Sequence, residues 1–242
     1  MPFDAIERKK ALIEGRARIR EFVFGIQDGL ISTIGLVAGV QGATESKAVV
    51  IIAGLTAMFS GAISMAAGSY LSSTAQKDIF DKELREAEIL AEKEPYIAAE
   101  GLLKSLHEEG LTREQSYSVV KQLLRQEQVF LRTFQEKVFG IGSADLNQPV
   151  KAAMVMGLSF GIGALVPIFP YFLLEGWGAL YLSIALSAVT LFGVGAFKGK
   201  LAAQSQFGSG AQFFIIAVSA AVLGFAIGLV VQYFFPGIAL PA

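Results

Sequence analysis

The sequence predicts an all-α, polytopic membrane protein with five transmembrane helices and a three-helix cytosolic insert between the second and third. Three observations lead there. Apolar residues make up 53% of the 242 positions and gather into runs of about twenty or more, the length that crosses a hydrocarbon core. The 26 glycines and 19 phenylalanines suit membrane helices, where small residues let backbones approach closely. The charged residues, 17% of the chain, crowd into the N-terminal segment and residues 76–145.

Residues 1–21 form the first element. Between positions 5 and 21 the chain carries Glu7, Arg8, Lys9, Lys10, Glu14, Arg16, Arg18, Arg20 and Glu21, interrupted by Ile6, Ala11, Leu12, Ile13 and Ile19. That pattern predicts a basic amphipathic helix lying at the headgroups. Residues 22–75 hold the first two spans. The first runs from Phe22 to about Val40, and a turn follows at Gln41-Gly42-Ala43-Thr44-Glu45. The second, Ala48 to Ala75, would be roughly 42 Å long at ~1.5 Å per residue. A hydrocarbon core is only about 30 Å thick, so this helix should emerge and continue into the charged region.

Residues 76–145 carry fourteen carboxylates from Asp78 to Asp145, interleaved with basic side chains. Pro95 should break the first helix there and Gly110 end a second. Thr112-x-x-Gln115 reads as a capping box that opens a third, running to about Phe139 before Gly140. Residues 146–242 complete the chain with spans at about Val150–Leu174, Trp177–Phe197 and Ala211–Phe235. Glu175-Gly176 makes a tight hairpin between the third and fourth, and Pro167 and Pro170 should loosen the end of the third.

Lysine and arginine placement orients the spans. The N-terminal segment, the insert and the Lys198/Lys200 loop are rich in basic residues, and five spans put all three on one side. Lys47 alone lies opposite. The expected topology is N-terminus inside, C-terminus outside. The net charge of −1 gives no support to a nucleic-acid partner. The absence of cysteine excludes disulfides and thiolate metal sites. No cleavable signal peptide is visible, and a short chain without a leader fits a prokaryotic plasma membrane.

Asp28 is the most informative position. It lies about two turns into the first span, where a charge costs a few kcal/mol even on lenient insertion scales. Such a group faces a cavity, a proton path or an ion. The competing reading leaves it shallow enough to reach interfacial water, or capping a neighbouring helix. Met65 sits among small residues, Ser60-Gly61-Ala62-Ile63-Ser64-Met65-Ala66-Ala67-Gly68, that mark a close-packed face. Methionine in a membrane helix is usually packing, and the same holds for Met154 and Met156. Paired with Asp28, however, a thioether suits a transition metal better than calcium or magnesium.

In the insert, Glu88 with Glu92 and Glu83 with Glu86 share helix faces. Asp78/Lys82, Asp81/Arg85 and Lys82/Glu86 place opposite charges at helical spacing, the pattern of a solvated helix with salt pairs. His107, the only histidine, is expected to be exposed. No phosphate-binding loop of the GxxxxGK[ST] type is present, which leaves ATP-driven transport unsupported, and no catalytic constellation of serine, histidine and carboxylate stands out. The chain reads as no enzyme.

Several segments resemble the vacuolar iron transporter family over nearly the whole chain. They are Phe24-Gly25-Ile26-Gln27-Asp28-Gly29-Leu30 with Gly35-Leu36-Val37-Ala38-Gly39, Gly61-Ala62-Ile63-Ser64-Met65 with Gly68-Ser69-Tyr70-Leu71, and Pro167-Ile168-Phe169-Pro170-Tyr171-Phe172. The resemblance implies a homodimer in the lipid bilayer with its conduction path at the subunit interface. It also implies export of ferrous iron, or of manganese, from the cytosol in exchange for protons. The family's first-span aspartate and second-span methionine match Asp28 and Met65, which makes these two the expected metal ligands. No resident cofactor is expected, because the divalent ion is the cargo.

Two departures stand beside the match. The family has a glutamate two turns before that methionine, where this chain has Ala57. Its cytosolic metal ligands fall, counted without gaps, on Ala87, Leu90, Ala98, Gly101, Phe134, Gln135 and Val138. The alternative function is therefore a non-transporting membrane protein of the same fold, with the insert as a docking or sensing module.

Overall fold

A computed structural model describes residues 2–44, 46–139 and 148–235, with side chains from residue 19 onward. Glu45, Gly140, Asp145 and the residues from 236 to 242 lie outside the described residues, as do the side chains of the expected amphipathic face before Ile19. The described elements are all α-helices: α1 (Pro2–Ala43), α2 (Lys47–Lys93), α3 (Pro95–Glu108), α4 (Arg113–Leu123), α5 (Glu127–Val138), α6 (Pro149–Ile168), α7 (Pro170–Leu173), α8 (Gly176–Leu201) and α9 (Gln206–Phe234). Five helices are long and apolar enough to cross a membrane, within Ile19–Ala43, Lys47–Lys93, Pro149–Ile168, Gly176–Leu201 and Gln206–Phe234. The chain is a multi-pass, all-helical membrane protein.

The chain divides into two compact units, residues 1–70 with 150–242, and residues 71–149. In the first unit, close glycine contacts define how the spans run. A Cβ on Gly25 of α1 would meet the Met156 carbonyl oxygen of α6 at 2.7 Å, and one on Gly29 would meet the Ala164 nitrogen at 2.9 Å. Both positions advance together, so α1 and α6 are parallel. Against α9, a Cβ on Gly35 of α1 would meet the Ala220 carbonyl oxygen at 3.4 Å and one on Gly39 that of Gly224 at 2.9 Å, again in parallel. On α2, by contrast, Gly54 abuts Ile168 while Gly61 abuts the Phe160 ring, so α2 and α6 are antiparallel. Gly199 near Ser205 and Gly195 near Gly210 make α8 and α9 antiparallel. The five spans therefore alternate in direction, and small residues set the distance between them because lipid supplies no hydrophobic force to press helices together.

The first span is the centre of this unit. Leu30 packs with Leu191, Phe213 and Ala217; Ile34 and Ala38 pack with Leu180 and Ala221; Val37 packs with Val50, Ile168 and Tyr171. Half of its apolar window is buried, against 11% for α2, which leaves most of α2 uncovered in a single chain. The third span breaks where the prolines predict. Pro167 and Pro170 lack the N–H groups that would bond to the carbonyls one turn back, and α6 gives way to the short α7. Ser183 of α8 donates to the Pro167 carbonyl at 2.7 Å, inside the core. Gly176, at φ +59°, makes the tight turn into α8, and Lys47 reaches Glu175 at 3.3 Å across that end of the bundle.

One sequence expectation is revised here and another is met. No break separates the N-terminal segment from the first span: α1 is one helix of 42 residues, since nothing between Gly15 and Phe22 interrupts the backbone hydrogen bonding. The second helix does continue past the apolar run, as its excess length required, reaching Lys93.

The second unit gathers the end of α2 with α3, α4 and α5 around Ala87, Ala98, Leu102, Leu106, Val120, Phe130 and Phe134. Pro95 opens α3 at its first turn. Gly110, at φ +107°, closes it in the left-handed conformation, with Gly110 N–H donating to the His107 carbonyl at 3.0 Å and Leu111 N–H to that of Leu106 at 3.2 Å. The capping box forms as read: Thr112 Oγ1 accepts from Gln115 N–H at 3.3 Å, and Gln115 Oε1 accepts from Thr112 N–H at 2.9 Å. The expected single helix from Thr112 to Phe139 is instead two, interrupted at Leu124–Gln126. In one straight helix Phe130 would point about 80° away from Val120, at ~100° per residue. The break turns Phe130 and Phe134 back onto the shared core. The unit thus has four helical segments where three were expected.

Candidate functional site

Asp28 lies within the apolar run of the first span, and it is half-buried. Its neighbour Gly29 rests on the Phe160 backbone of α6. Ser32 Oγ donates to the Asp28 carbonyl at 2.6 Å, closing the local turn. Among the described residues no lysine or arginine pairs with the Asp28 side chain.

Met65 lies on the other side of the same α6 contact. Gly61 abuts the Phe160 ring, and Met65 follows Gly61 by one helical turn on the same face. The two sequence-predicted ligands therefore flank Phe160 from α1 and α2, offset along the bundle by about one turn, roughly 5 Å. Met65 is half-buried, and so is Ala57 two turns away. Such a placement offers a hard oxygen and a soft sulfur at similar depth, a donor pair suited to a divalent transition metal.

Helical spacing also puts Asp28 on one stripe with Ser32, Gly35 and Gly39. The last three line an apolar groove of about 580 Å³ between α1 and α9, whose far wall includes Gly224 and Gly228. Gly35 and Gly39 of that stripe press against α9, while Ser32, one turn beyond Asp28, is exposed.

One carboxylate escaped the sequence reading. Glu21, the last residue of the charged N-terminal segment, is only 6% exposed, a burial that its place in a charged run did not indicate. Arg20 bonds its Oε1 at 3.0 Å. The signal was available: Glu21 precedes Asp28 by seven residues, two turns on the same face.

The insert's charges behave mainly as surface pairs. Lys82–Glu86 forms at 3.5 Å, as its spacing predicted, with Lys104–Glu108 at 4.0 Å and Arg132–Glu136 at 3.1 Å. Glu109 joins α3 to Lys137 of α5 at 2.7 Å. His107 is exposed, its Nδ1 hydrogen-bonded to the Leu111 carbonyl at 2.8 Å. Among the described residues, no three histidines or carboxylates converge as a metal site.

Five apolar helices enclosing a half-buried aspartate, with a thioether at nearby depth, define a polytopic helical membrane protein with an intramembrane polar site. A model of the VIT family matches residues 19–229, and the chain belongs to that family. It is 30% identical over 217 residues to "Vacuolar iron transporter 1" of Oryza sativa subsp. japonica, covering 88% of this chain and 85% of that protein. It is 26% identical to the protein of the same name from Arabidopsis thaliana, covering 89% and 86%. "Protein CCC1" of Saccharomyces cerevisiae is 30% identical over 196 residues, covering 77% of this chain and 59% of that protein. The relatives named by activity are named as transporters, not as enzymes. Their names point to the vacuole, so the expectation of a prokaryotic plasma membrane draws no support from them.

Proposed function

We propose that this protein is a divalent transition-metal transporter that moves ferrous iron, or manganese, out of the cytosol in exchange for protons. The observation that carries the reading is Asp28: a half-buried carboxylate with no described cationic partner, within about one turn of the Met65 layer. Membership of a family whose members are named iron transporters supports it. Asp28 coordinates the ion through oxygen and Met65 through sulfur. A proton and a divalent cation compete for the same carboxylate, and that competition is what couples their movements.

The working unit in this reading is a homodimer. The largely uncovered apolar part of α2 supports a second copy closing the passage beside Asp28. Basic residues place the N-terminus, the insert and the Lys198/Lys200 loop in the cytosol. The helical unit of residues 71–149 then stands on the side from which metal enters.

Flux into liposomes tests the reading directly. Native protein carries ferrous or manganous ion, and Asp28→Asn abolishes that flux with the fold intact. Unchanged flux in the variant removes Asp28 from the mechanism. A specific observation keeps one rival in view: Ala57 stands where the family resemblance expects a glutamate. A non-transporting protein with a docking or sensing insert would bind neither metal in detergent while remaining folded.

A further inference from the structure

We infer that Met156 of α6 is a second thioether beside Met65 and biases the Asp28 site toward softer divalent metals. The inference rests on the transport reading above and names the selectivity of that same site.

The placement follows from helix register. Gly61 of α2 abuts the ring of Phe160 of α6, and these helices are antiparallel. Met65 comes four residues after Gly61, and Met156 four before Phe160. Each lies one turn from that contact toward the same end of the bundle, so the two occupy one layer. Gly157, beside Met156, fixes the register independently: a Cβ there would meet the Ala62 carbonyl and the Ala66 Cβ, each at 2.9 Å. Ala66 adjoins Met65. From α1, Gly25 approaches the Met156 carbonyl at 2.7 Å, one turn below Asp28. Three helices thus deliver Asp28, Met65 and Met156 to one corner of the bundle.

Burial places Met156 at the edge of a packed helix face. Ala153, Gly157, Phe160 and Ala164, which surround Met156 on α6, are all buried. Met156 and Met65 are each partly exposed. Met156 thus stands at the rim of that packed face rather than within it. Met154 is 52% exposed and lies on a different face of α6. A second thioether beside a single carboxylate shifts the donor set toward softer ions.

The test uses full-length protein in detergent with two redox-stable probes, soft Cd²⁺ and hard Mn²⁺. Native protein should bind Cd²⁺ more tightly. Met156→Leu, of similar volume, should weaken Cd²⁺ binding by about tenfold and change Mn²⁺ binding by less than about twofold, with the melting temperature held. Met154→Leu should change neither. Equal losses for both ions, or no loss for Cd²⁺, overturn the inference. X-ray absorption of the Cd²⁺-loaded native protein gives a readout free of any variant: two sulfur scatterers are expected, and a single one, as Met65 alone would supply, overturns the inference while leaving the transport reading standing. Failure of the native protein to bind either ion overturns both.

Discussion

A Cβ placed on Gly39 of α1 would stand 2.9 Å from the carbonyl oxygen of Gly224 of α9. With Gly228 pressed against Gly39 in turn, two small-xxx-small motifs, Gly35/Gly39 and Gly224/Gly228, bring the two backbones together. The obstacle is backbone, which cannot swing aside as a flexible side chain can. Gly39→Leu should therefore force α1 and α9 apart and lower the melting temperature by several degrees. Gly68→Ala is the matched control, since nothing lies within 4 Å of a Cβ there. Equal melting temperatures for both variants would mean that this contact does not set the helix spacing.

At the break in the third span, Ser183→Ala removes the donor to the Pro167 carbonyl. The acceptor is buried, but hydrogen bonds within membrane bundles average only about 0.6 kcal/mol and reach ~1.7. The expected loss of unfolding free energy in a mixed-micelle denaturation series is therefore about 1 kcal/mol. The prolines, not the hydroxyl, make the break, so the helical content should not change. A change in circular dichroism would contradict that division of roles.

In the insert, Thr112→Ala deletes the α4 cap and should cost about 1 kcal/mol. Hydrogen exchange reads the loss locally, as faster exchange of the first α4 amides with α3 little changed. Gly110→Ala adds strain of ~1–2 kcal/mol at φ +107° and should destabilise the α3 end instead.

Ala57→Glu would return the oxygen donor that the family pattern has two turns from Met65. Uptake of Mn²⁺ by liposomes should rise several-fold, because a hard ligand favours the harder ion. Unchanged uptake with intact folding would place position 57 off the route of the ion.

Lys82–Glu86 follows from spacing alone, and so do the Thr112/Gln115 box and the breaks at Pro95 and Pro167, because each depends on residues within about a turn of one another. The interruption at Leu124–Gln126 carries no proline or glycine. It exists so that Phe130 and Phe134 can share a core with residues far along the chain, which local pattern does not encode. The burial of Glu21 was illegible for a similar reason. A charge beside a basic run reads as a headgroup residue until neighbouring helices are seen to cover it.

The number and limits of the spans, the charged insert and the presence of one aspartate inside an apolar run are properties of the sequence itself. Hydropathy is summed over contiguous residues, so it needs no knowledge of neighbours. Which side chains share a layer was decided only by tertiary structure. Asp28, Met65 and Met156 lie on three helices, and their relative height depends on how glycines seat one backbone against the next. That register is a property of surfaces meeting in space, and no window along the chain contains it.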